Sequence, residues 1–287
     1  MIEVVPNSAG TSRPRFKAPR HSCDSHIHIY DPRFKMKWPQ LRAVANASAD
    51  DYRKLQARIG TERVVVVQPA AYGTDNAVTV DAVAQFGLDK ARGIAVVHPS
   101  VTDTELLAMG RAGIRGLRFT LHEPRTAITS ADMIEPLAHR VSRIGWHVQL
   151  HVRAEQIVEM ELMINRLPGT LVFDHMGRMP QPIGPRHPAM AIVKRLIDRG
   201  QAWVKLSGPY LESHTGGPRY ADARPVAREL VEFAPQRCVW GSDWPHPTEP
   251  TTKPDDAALL DLLQEWVPRE EARHAILVDN PGTLYGF

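Results

Sequence analysis

The chain has 287 residues, 43% of them hydrophobic and 23% charged, and its formal net charge is +3. Such a length suits one closed α/β barrel, whose usual size is about 250 residues, and the composition is that of a globular protein. The basic residues are spread along the chain rather than gathered into a block, which argues against nucleic acid as a partner. No apolar run approaches the ~20 residues that span a bilayer, so the sequence also argues against a transmembrane protein.

The first 20 residues are basic, contain several Pro and Ser residues, and lack the apolar segment of a secretory signal. We expect residues 1–20 to form an irregular arm and residues 21–287 to form a single domain. The two cysteines, Cys23 and Cys238, lie in apolar runs and are too few for a disulfide framework. We therefore interpret both as reduced core residues of a cytoplasmic protein.

Short runs rich in β-branched and apolar residues alternate with longer amphipathic stretches. The predicted strands are Cys23–His28, Val64–Gln68, Gly93–Val97, Gly116–Phe119, Trp146–His151, Leu171–Asp174, Ala202–Ser207 and Arg237–Trp240. They recur about every 30 residues, which is the length of a βα unit. The runs VVVVQ and LVF are almost continuously apolar, as expected for parallel strands that are covered on both faces.

Helical patterns occupy most of the stretches between these strands. The predicted helices are Thr74–Phe86, Thr102–Ala112, Ala131–Ile144, Ala154–Arg166, Pro188–Arg199, Ala221–Phe233, Asp255–Trp266 and Arg269–Val278. Thr102 and Glu105 form the pattern of a capping box at the start of the second helix. The alternation predicts a (β/α)8 TIM barrel. The rival architecture, a doubly wound open sheet, rarely reaches eight evenly spaced strands in one domain.

Ionisable side chains stand where several predicted strands end, which is where barrel enzymes carry their chemistry. The first strand ends in DSHIH, and alternation puts His26 and His28 on one face, toward the barrel mouth. Two imidazoles one pleat apart can bind a transition metal or position a water molecule. His151, His175 and Asp243 end the fifth, sixth and eighth strands. Each alone is explained as a hydrogen-bonded core residue or a helix cap, but together they predict an active site.

These motifs resemble the amidohydrolase superfamily. The chain is similar to its second large family, which holds 2-pyrone-4,6-dicarboxylate hydrolases and sugar-acid lactonases, and the resemblance runs from about Cys23 to Phe287. It rests on DSHIH, His151, FDHMGR and GSDWPH in this order, together with QPAAYGTDN, WVKLSGPY and the closing DNPGTLYGF. The fold that the resemblance implies is a (β/α)8 barrel of the amidohydrolase type.

The resemblance implies two forms of the site. In members with a metal, one divalent ion would be held by His26, His28, His151 and Asp243, and His175 would polarise the water; this ligand set suits Zn²⁺. No lysine ends the fourth strand, so a binuclear centre with a carbamylated lysine is excluded. The pyrone-dicarboxylate hydrolases work without metal, so the sequence leaves open one metal ion or none.

In either form, Asp243 is predicted to be the general base. A carboxylate within reach can take the proton of the attacking water, and a bound metal would lower the pKa of that water. The imidazoles of His26, His28 and His175 would polarise the carbonyl oxygen and stabilise the oxyanion that develops on it.

The arginines indicate the charge of the substrate. Arg118 ends the fourth strand, and an arginine that points into a barrel mouth is costly unless it meets an anion. The resemblance implies the same role, because similar arginines hold the substrate carboxylates in the pyrone-dicarboxylate hydrolases. Further candidates for substrate binding are Arg125, His122, His151, Arg178, Arg219, Tyr210, Tyr72 and Thr74.

The leading hypothesis is hydrolysis of a lactone that carries carboxylates, by water that Asp243 activates. The alternatives are a metal-dependent decarboxylase of an aromatic or muconate-like acid and a lactone isomerase. The resemblance implies that a lactone-isomerising branch replaces the strand-eight acid, so an intact Asp243 favours hydrolysis. A binding protein on an inactive barrel would lack a member of the residue set, and none is missing. The expected partner is a small carboxylated molecule, and a homo-oligomer is allowed.

Overall fold

The computed structural model describes residues 4–41, 44, 46–123 and 127–287. Eight parallel strands form one sheet whose strand order follows the chain. They are β1 (Cys23–Ile27), β2 (Arg63–Val67), β3 (Ala91–Ala95), β4 (Ile114–Thr120), β5 (His147–His151), β6 (Leu171–Phe173), β7 (Ala202–Leu206) and β8 (Cys238–Trp240). Helices lie between them, so the predicted (β/α)8 barrel is confirmed.

The barrel closes just beyond the carboxyl end of β8. Ile27 in β1 forms a parallel bridge with Trp244, and the backbone N–H of His28 donates to the carbonyl of Trp244 at 2.8 Å. The backbone N–H of Asp243 donates to the carbonyl of His26 at 2.9 Å. The closing seam therefore brings the histidine motif of β1 beside the acid that follows β8.

Helices cover the outside of the sheet. They are α1 (Ala49–Ile59), α2 (Ala77–Phe86), α3 (Asp103–Arg111), α4 (Ile134–Ser142), α5 (Ala154–Glu159), α6 (Glu161–Ile164), α7 (Pro188–Asp198), α8 (Arg224–Phe233), α9 (Asp256–Trp266), α10 (Glu270–His274) and α11 (Asn280–Tyr285). The main core lies between these helices and the strands, and the inner strands are buried on both faces, as their apolar sequences predict.

The helix α1 is missing from the predicted elements. Its signals are present in the sequence, because Ser48 and Asp51 form a capping box at its start. Tyr52, Leu55 and Ile59 are buried on one face at helical spacing. The capping box predicted at Thr102 and Glu105 is confirmed.

Two predicted helices are interrupted, and a second helix, after α1, was not predicted. The stretch Ala154–Arg166 divides into α5 and α6 at Met160, where the N–H bonds to the carbonyls of both Gln156 and Val158 and the helix tightens locally. The stretch Arg269–Val278 holds α10 and then a π-helical segment, Ala275–Asp279, which leads into the unpredicted α11. α11 is anchored because the Asn280 side chain donates to the carbonyls of Pro235 and Cys238.

The N-terminal segment from residue 4 onward and the C-terminal helix pack against the barrel. Tyr285, in α11, belongs to a buried cluster with Cys23, Val65 and Ile94. Residues 4–20 contain no helix or strand, and the carbonyl of Pro6 accepts a bond from the Trp244 indole at 2.9 Å. Cys23 and Cys238 are buried and free, as expected. Within the described ranges, no helix is long and apolar enough to cross a membrane.

Candidate active site

A cavity of about 190 Å³ opens at the carboxyl ends of the strands. Its lining includes His28, Tyr30, Arg118, Thr120, His122, His151, His175, Asp243 and Thr248. A larger and more open cavity, about 510 Å³, lies between α2 and α3 and is lined by Thr74, His98 and Glu105. It contains neither Asp243 nor the histidines of β1 and β5, so we place the candidate site in the smaller cavity.

Asp243 lies at the centre of one wall of this cavity and is almost fully buried. Its Oδ1 atom lies 3.4 Å from Nε2 of His28, 3.5 Å from Nε2 of His26 and 4.0 Å from Nε2 of His175. Oδ1 has no hydrogen-bond partner, whereas Oδ2 accepts a bond from the Tyr210 hydroxyl at 2.6 Å. The site therefore presents one unpartnered carboxylate oxygen among three imidazoles. We call Asp243, His26, His28 and Tyr210 the base side.

Burial raises the pKa of Asp243, but interactions with the nearby histidines, His175 first, outweigh burial and hold this pKa well below its usual value. Burial lowers the pKa of His175 to about 4. Burial and the Lys205 ammonium together lower the pKa of His26 well below its usual value. Near neutral pH Asp243 is thus ionised, and the adjacent His26 and His175 are neutral.

The tautomer of His28 follows from its contacts. Its Nδ1 lies 2.8 Å from the carbonyl of Val67, which can only accept, so Nδ1 carries the proton. In the neutral ring Nε2 of His28 is then the nitrogen with the lone pair, and it lies 3.3 Å from Nε2 of His26. A lone pair at this position can accept a hydrogen bond or bind a metal ion.

The backbone is strained at the two loops that carry these groups. His175, Met176 and Arg178 after β6, and Asp243 and His246 after β8, all have positive φ although none is glycine. Residues in this region of φ cost free energy and cluster at functional sites. The strain supports the assignment of the site to this mouth.

Asp174 and Lys205 connect the base side to Arg118, and the sequence analysis gave neither residue a role. Nζ of Lys205 donates to the carbonyl of Ser25 at 2.9 Å and lies 3.3 Å from Nδ1 of His26. Asp174 accepts from Nε of Arg118 at 2.9 Å and lies 3.7 Å from the Lys205 ammonium. A lysine within the apolar strand sequence AWVKL is the signal that could have found this network, because a buried charge needs a partner.

These buried charges compensate one another. Burial raises the pKa of Asp174, but His26, Arg118 and Lys205 outweigh burial and keep the carboxyl ionised. Burial lowers the pKa of Lys205 to about 8, and the Asp174 carboxylate acts in the opposite direction. Removing the Asp174 carboxylate would leave the charges of Arg118 and Lys205 buried without this partner.

A second group of side chains at the cavity is cationic. Nη2 of Arg118 donates to Nδ1 of His151 at 3.0 Å, and Nη1 of Arg178 lies 3.4 Å from Nε2 of the same ring. His122 stacks on His151, with ring centroids 4.0 Å apart. Burial, followed by Arg178 and Arg118, lowers the pKa of His122 to about 3. We call Arg118, Arg178, His122 and His151 the arginine side.

Among the described residues, His26, His28 and Asp243 form a group whose ligand atoms could hold one metal ion. The unpartnered Oδ1 of Asp243 and the lone pair of His28 fit a divalent ion that prefers nitrogen and oxygen ligands. His151, the fourth ligand that the resemblance implies, is not brought to this group, because both of its ring nitrogens face guanidinium groups.

Four predicted substrate-binding residues lie elsewhere. The Tyr72 hydroxyl bonds to the backbone of Asp31, and Thr74 lines the other cavity and does not cap α2, whose first cap position is Asn76. Arg219 is 76% exposed and lies 3.8 Å from Glu265. Tyr210 points its hydroxyl at Asp243 rather than into the cavity. Arg125 lies outside the described residues.

The barrel, with its histidine motif on β1 and its acid after β8, defines a class of enzyme. The family model for amidohydrolases matches residues 23–287, and the chain therefore belongs to the amidohydrolase family.

Individual relatives process lactones, according to their names. The chain is 36% identical to a 2-pyrone-4,6-dicarboxylate hydrolase of Comamonas testosteroni, over 96% of this chain and 94% of that protein. It is 33% identical to a 4-sulfomuconolactone hydrolase of Rhizobium radiobacter, over 94% and 92%, and 32% identical to a D-galactarolactone isomerase of Agrobacterium fabrum, over 99% and 97%. A crystal structure of an Agrobacterium tumefaciens protein in its apo form superposes with a TM-score of 0.89, at 30% identity and 98% coverage of both chains.

Proposed function

We propose that the protein is a lactonase that hydrolyses a cyclic ester bearing carboxylate groups. The observation that carries the proposal is the unpartnered, ionised Oδ1 of Asp243, in a cavity that the Arg118 guanidinium also lines. The relatives named as lactone hydrolases support the same reaction type.

In the mechanism, Oδ1 of Asp243 removes a proton from a water molecule as its oxygen attacks the lactone carbonyl. Nδ1 of the neutral His175 imidazole contacts the Ser207 hydroxyl at 2.9 Å, and its Nε2 lies 4.0 Å from Oδ1 of Asp243. In this orientation Nε2 of His175 is directed toward the reacting atoms. The tetrahedral intermediate collapses as the ring C–O bond breaks, and the proton held by Asp243 passes to the departing alkoxide. The product is an open-chain hydroxy acid, or its keto tautomer when the ring is a pyrone.

The arginine side is proposed to bind the substrate carboxylates. Arg118 uses two of its N–H donors on Asp174 and His151, and a guanidinium has five. The remaining donors suit a carboxylate in the cavity that Arg118 lines. Arg178 is paired with Glu212, so it adds to the positive potential of this part of the cavity rather than carrying the substrate charge alone.

A single Zn²⁺ ion is a proposed cofactor. His26, His28 and Asp243 would hold it, as their buried ligand atoms fit such an ion. The ion would supply a bound water of lowered pKa. The residues of the arginine side keep the same roles with or without it.

The test measures proton release with a pH indicator over a panel of carboxylated lactones, including 2-pyrone-4,6-dicarboxylate and aldarolactones. Each reaction is run with a chelator and again with added Zn²⁺, and an uncharged lactone of the same ring size is the matched control. We expect turnover of at least one carboxylated lactone and none of its uncharged counterpart. Activity that survives the chelator would contradict the need for zinc, and silence across the panel would contradict lactone hydrolysis.

A lactone isomerase is the second candidate, favoured by the relative of that name. Isomerisation moves the acyl group between hydroxyls of one molecule and releases no proton at neutral pH. Proton NMR of the same reactions distinguishes the two, because hydrolysis yields an open-chain acid and isomerisation yields a second lactone.

A cytoplasmic location is also a proposal. It is supported by the two buried, free cysteines, since thiols stay reduced in that compartment. Fractionation of the cells that make the protein would test it, and recovery outside the cytoplasmic fraction would contradict it.

A further inference from the structure

A buried chain of polar contacts leads from Asp243 to the start of α9. The Tyr210 hydroxyl, which donates to Oδ2 of Asp243, lies 3.0 Å from Nδ1 of His246. Nε2 of His246 lies 3.2 Å from Oδ2 of Asp256. His246 and Asp256 are fully buried, and neither they nor Tyr210 lines the cavity. The side chains of these three residues are therefore linked to the site through Asp243.

The far end of this chain is anchored by three parts of the fold. Asp256 is the first residue of α9 and accepts a hydrogen bond from the Ser8 hydroxyl in the N-terminal segment. Ser8 in turn accepts from Nη2 of Arg58 at 2.6 Å, in the last turn of α1, and Arg58 also pairs with Asp255 at 3.2 Å. Oδ2 of Asp256 thus contacts both the Ser8 hydroxyl and Nε2 of His246, which ties His246 to the N-terminal segment and α1.

At the other end of this chain of contacts is the Asp243 carboxylate, whose orientation has to be fixed. The two oxygens of a carboxylate are chemically equivalent, and rotation about χ2 exchanges them. In Asp243, Oδ2 is held by Tyr210, and only Oδ1 is left to face His26 and His28. The turn itself is tight, since the N–H of His246 donates to the carbonyl of Asp243 at 2.8 Å. Nothing else in the described residues bonds to Oδ2.

We propose that Tyr210, His246 and Asp256 are positioning residues that fix the orientation of the Asp243 carboxylate, so that Oδ1 always faces the reacting water. The proposal rests on the proposed role of Asp243 as base. Loss of these contacts would lower kcat by about 10- to 100-fold, because misplacement of a catalytic group by about 1 Å has effects of this size. KM would stay within about twofold, since none of the three residues lines the cavity.

Two conservative variants of His246 give the sharpest kinetic test. The amide of His246→Asn occupies the place of Nδ1 and keeps the contact with Tyr210, whereas the longer His246→Gln reaches the place of Nε2 and keeps only the contact with Asp256. We expect His246→Asn to retain most of kcat and His246→Gln to lose it. A role in packing alone predicts the reverse order, because Gln fills the space better.

Tyr210→Phe removes only an oxygen atom and serves where a His246 variant fails to fold. We expect its loss of kcat to match that of His246→Gln, and the double variant to be no worse than either, since both changes break one chain. Tyr220→Phe is the matched control, because its ring packs on Tyr210 at 6.1 Å and its hydroxyl is not in the chain. Additive losses, or an equal loss in Tyr220→Phe, would overturn the proposal.

Crystal structures of the same variants provide a measurement that does not depend on activity. We expect the Asp243 carboxylate to be turned in Tyr210→Phe and His246→Gln and to keep its orientation in Tyr220→Phe. An unchanged carboxylate in every variant would overturn the positioning role. A wild-type enzyme that turns over no lactone would contradict the proposed function instead, while the crystallographic comparison would still decide the positioning role.

Discussion

The two walls of the cavity are built in different ways. The base side lies on the seam where β1 meets the segment after β8, and backbone bonds between His26 and Asp243 and between His28 and Trp244 hold it together. The arginine side is assembled from β4, β5 and the strained turn after β6, and side-chain contacts around His151 hold it. The reacting groups are thus set by the barrel backbone, whereas the anion-binding groups depend on side-chain packing.

The largest effect on activity is expected when the base side loses its carboxylate. Asp243→Asn keeps the size of the side chain but removes the base, and we expect kcat to fall by about 10³-fold on any lactone that the wild type hydrolyses. Steady-state kinetics with a thermal melt for folding would measure this. Asp198→Asn, at an exposed position on α7, is the matched control and should keep wild-type kinetics. Turnover within tenfold of wild type in the folded Asp243→Asn variant would contradict the assignment.

A smaller effect is expected from the arginine side. Arg118→Lys keeps a cation for Asp174 but loses the planar fork that matches a carboxylate, so KM should rise by about tenfold while kcat changes little. The measurement is KM for a dicarboxylated lactone. Arg195→Lys, an exposed residue of α7 paired with Glu161, is the control and should leave KM unchanged. An unchanged KM in Arg118→Lys, or a fall confined to kcat, would place the carboxylate elsewhere.

The smallest expected effect concerns acid stability. The pKa of His122 is about 3 in the folded protein and near 6.5 when unfolded, so between these values the unfolded state binds more protons. The free energy of unfolding should therefore fall as pH drops from about 6.5 toward 4. In His122→Gln the slope should be shallower, by up to about 1 kcal/mol per pH unit. Urea denaturation at several pH values measures it, and identical slopes in the two proteins would show that His122 does not contribute.

The sequence named the residues of both the base side and the arginine side, but it did not predict the contacts of Tyr210 and His151. The motifs DSHIH and GSDWPH each lie at the end of one strand, so strand alternation and the common edge of a parallel barrel were enough to bring them together. Asp174 and Lys205 were missed because their importance lies in a network between β1, β4, β6 and β7. The helix α1 was missed although its capping box was readable in the sequence.

The sequence by itself determined the barrel, the order of its strands and the edge at which His26, His28, His175 and Asp243 meet, because these follow from the periodicity of strands and helices. Only the tertiary structure decided which way the side chains beyond the strand ends turn. It directed His151 toward two arginines instead of toward the β1 histidines, and it directed Tyr210 toward Asp243 instead of toward the substrate. Such choices depend on contacts between residues far apart in the chain, and no local periodicity encodes them.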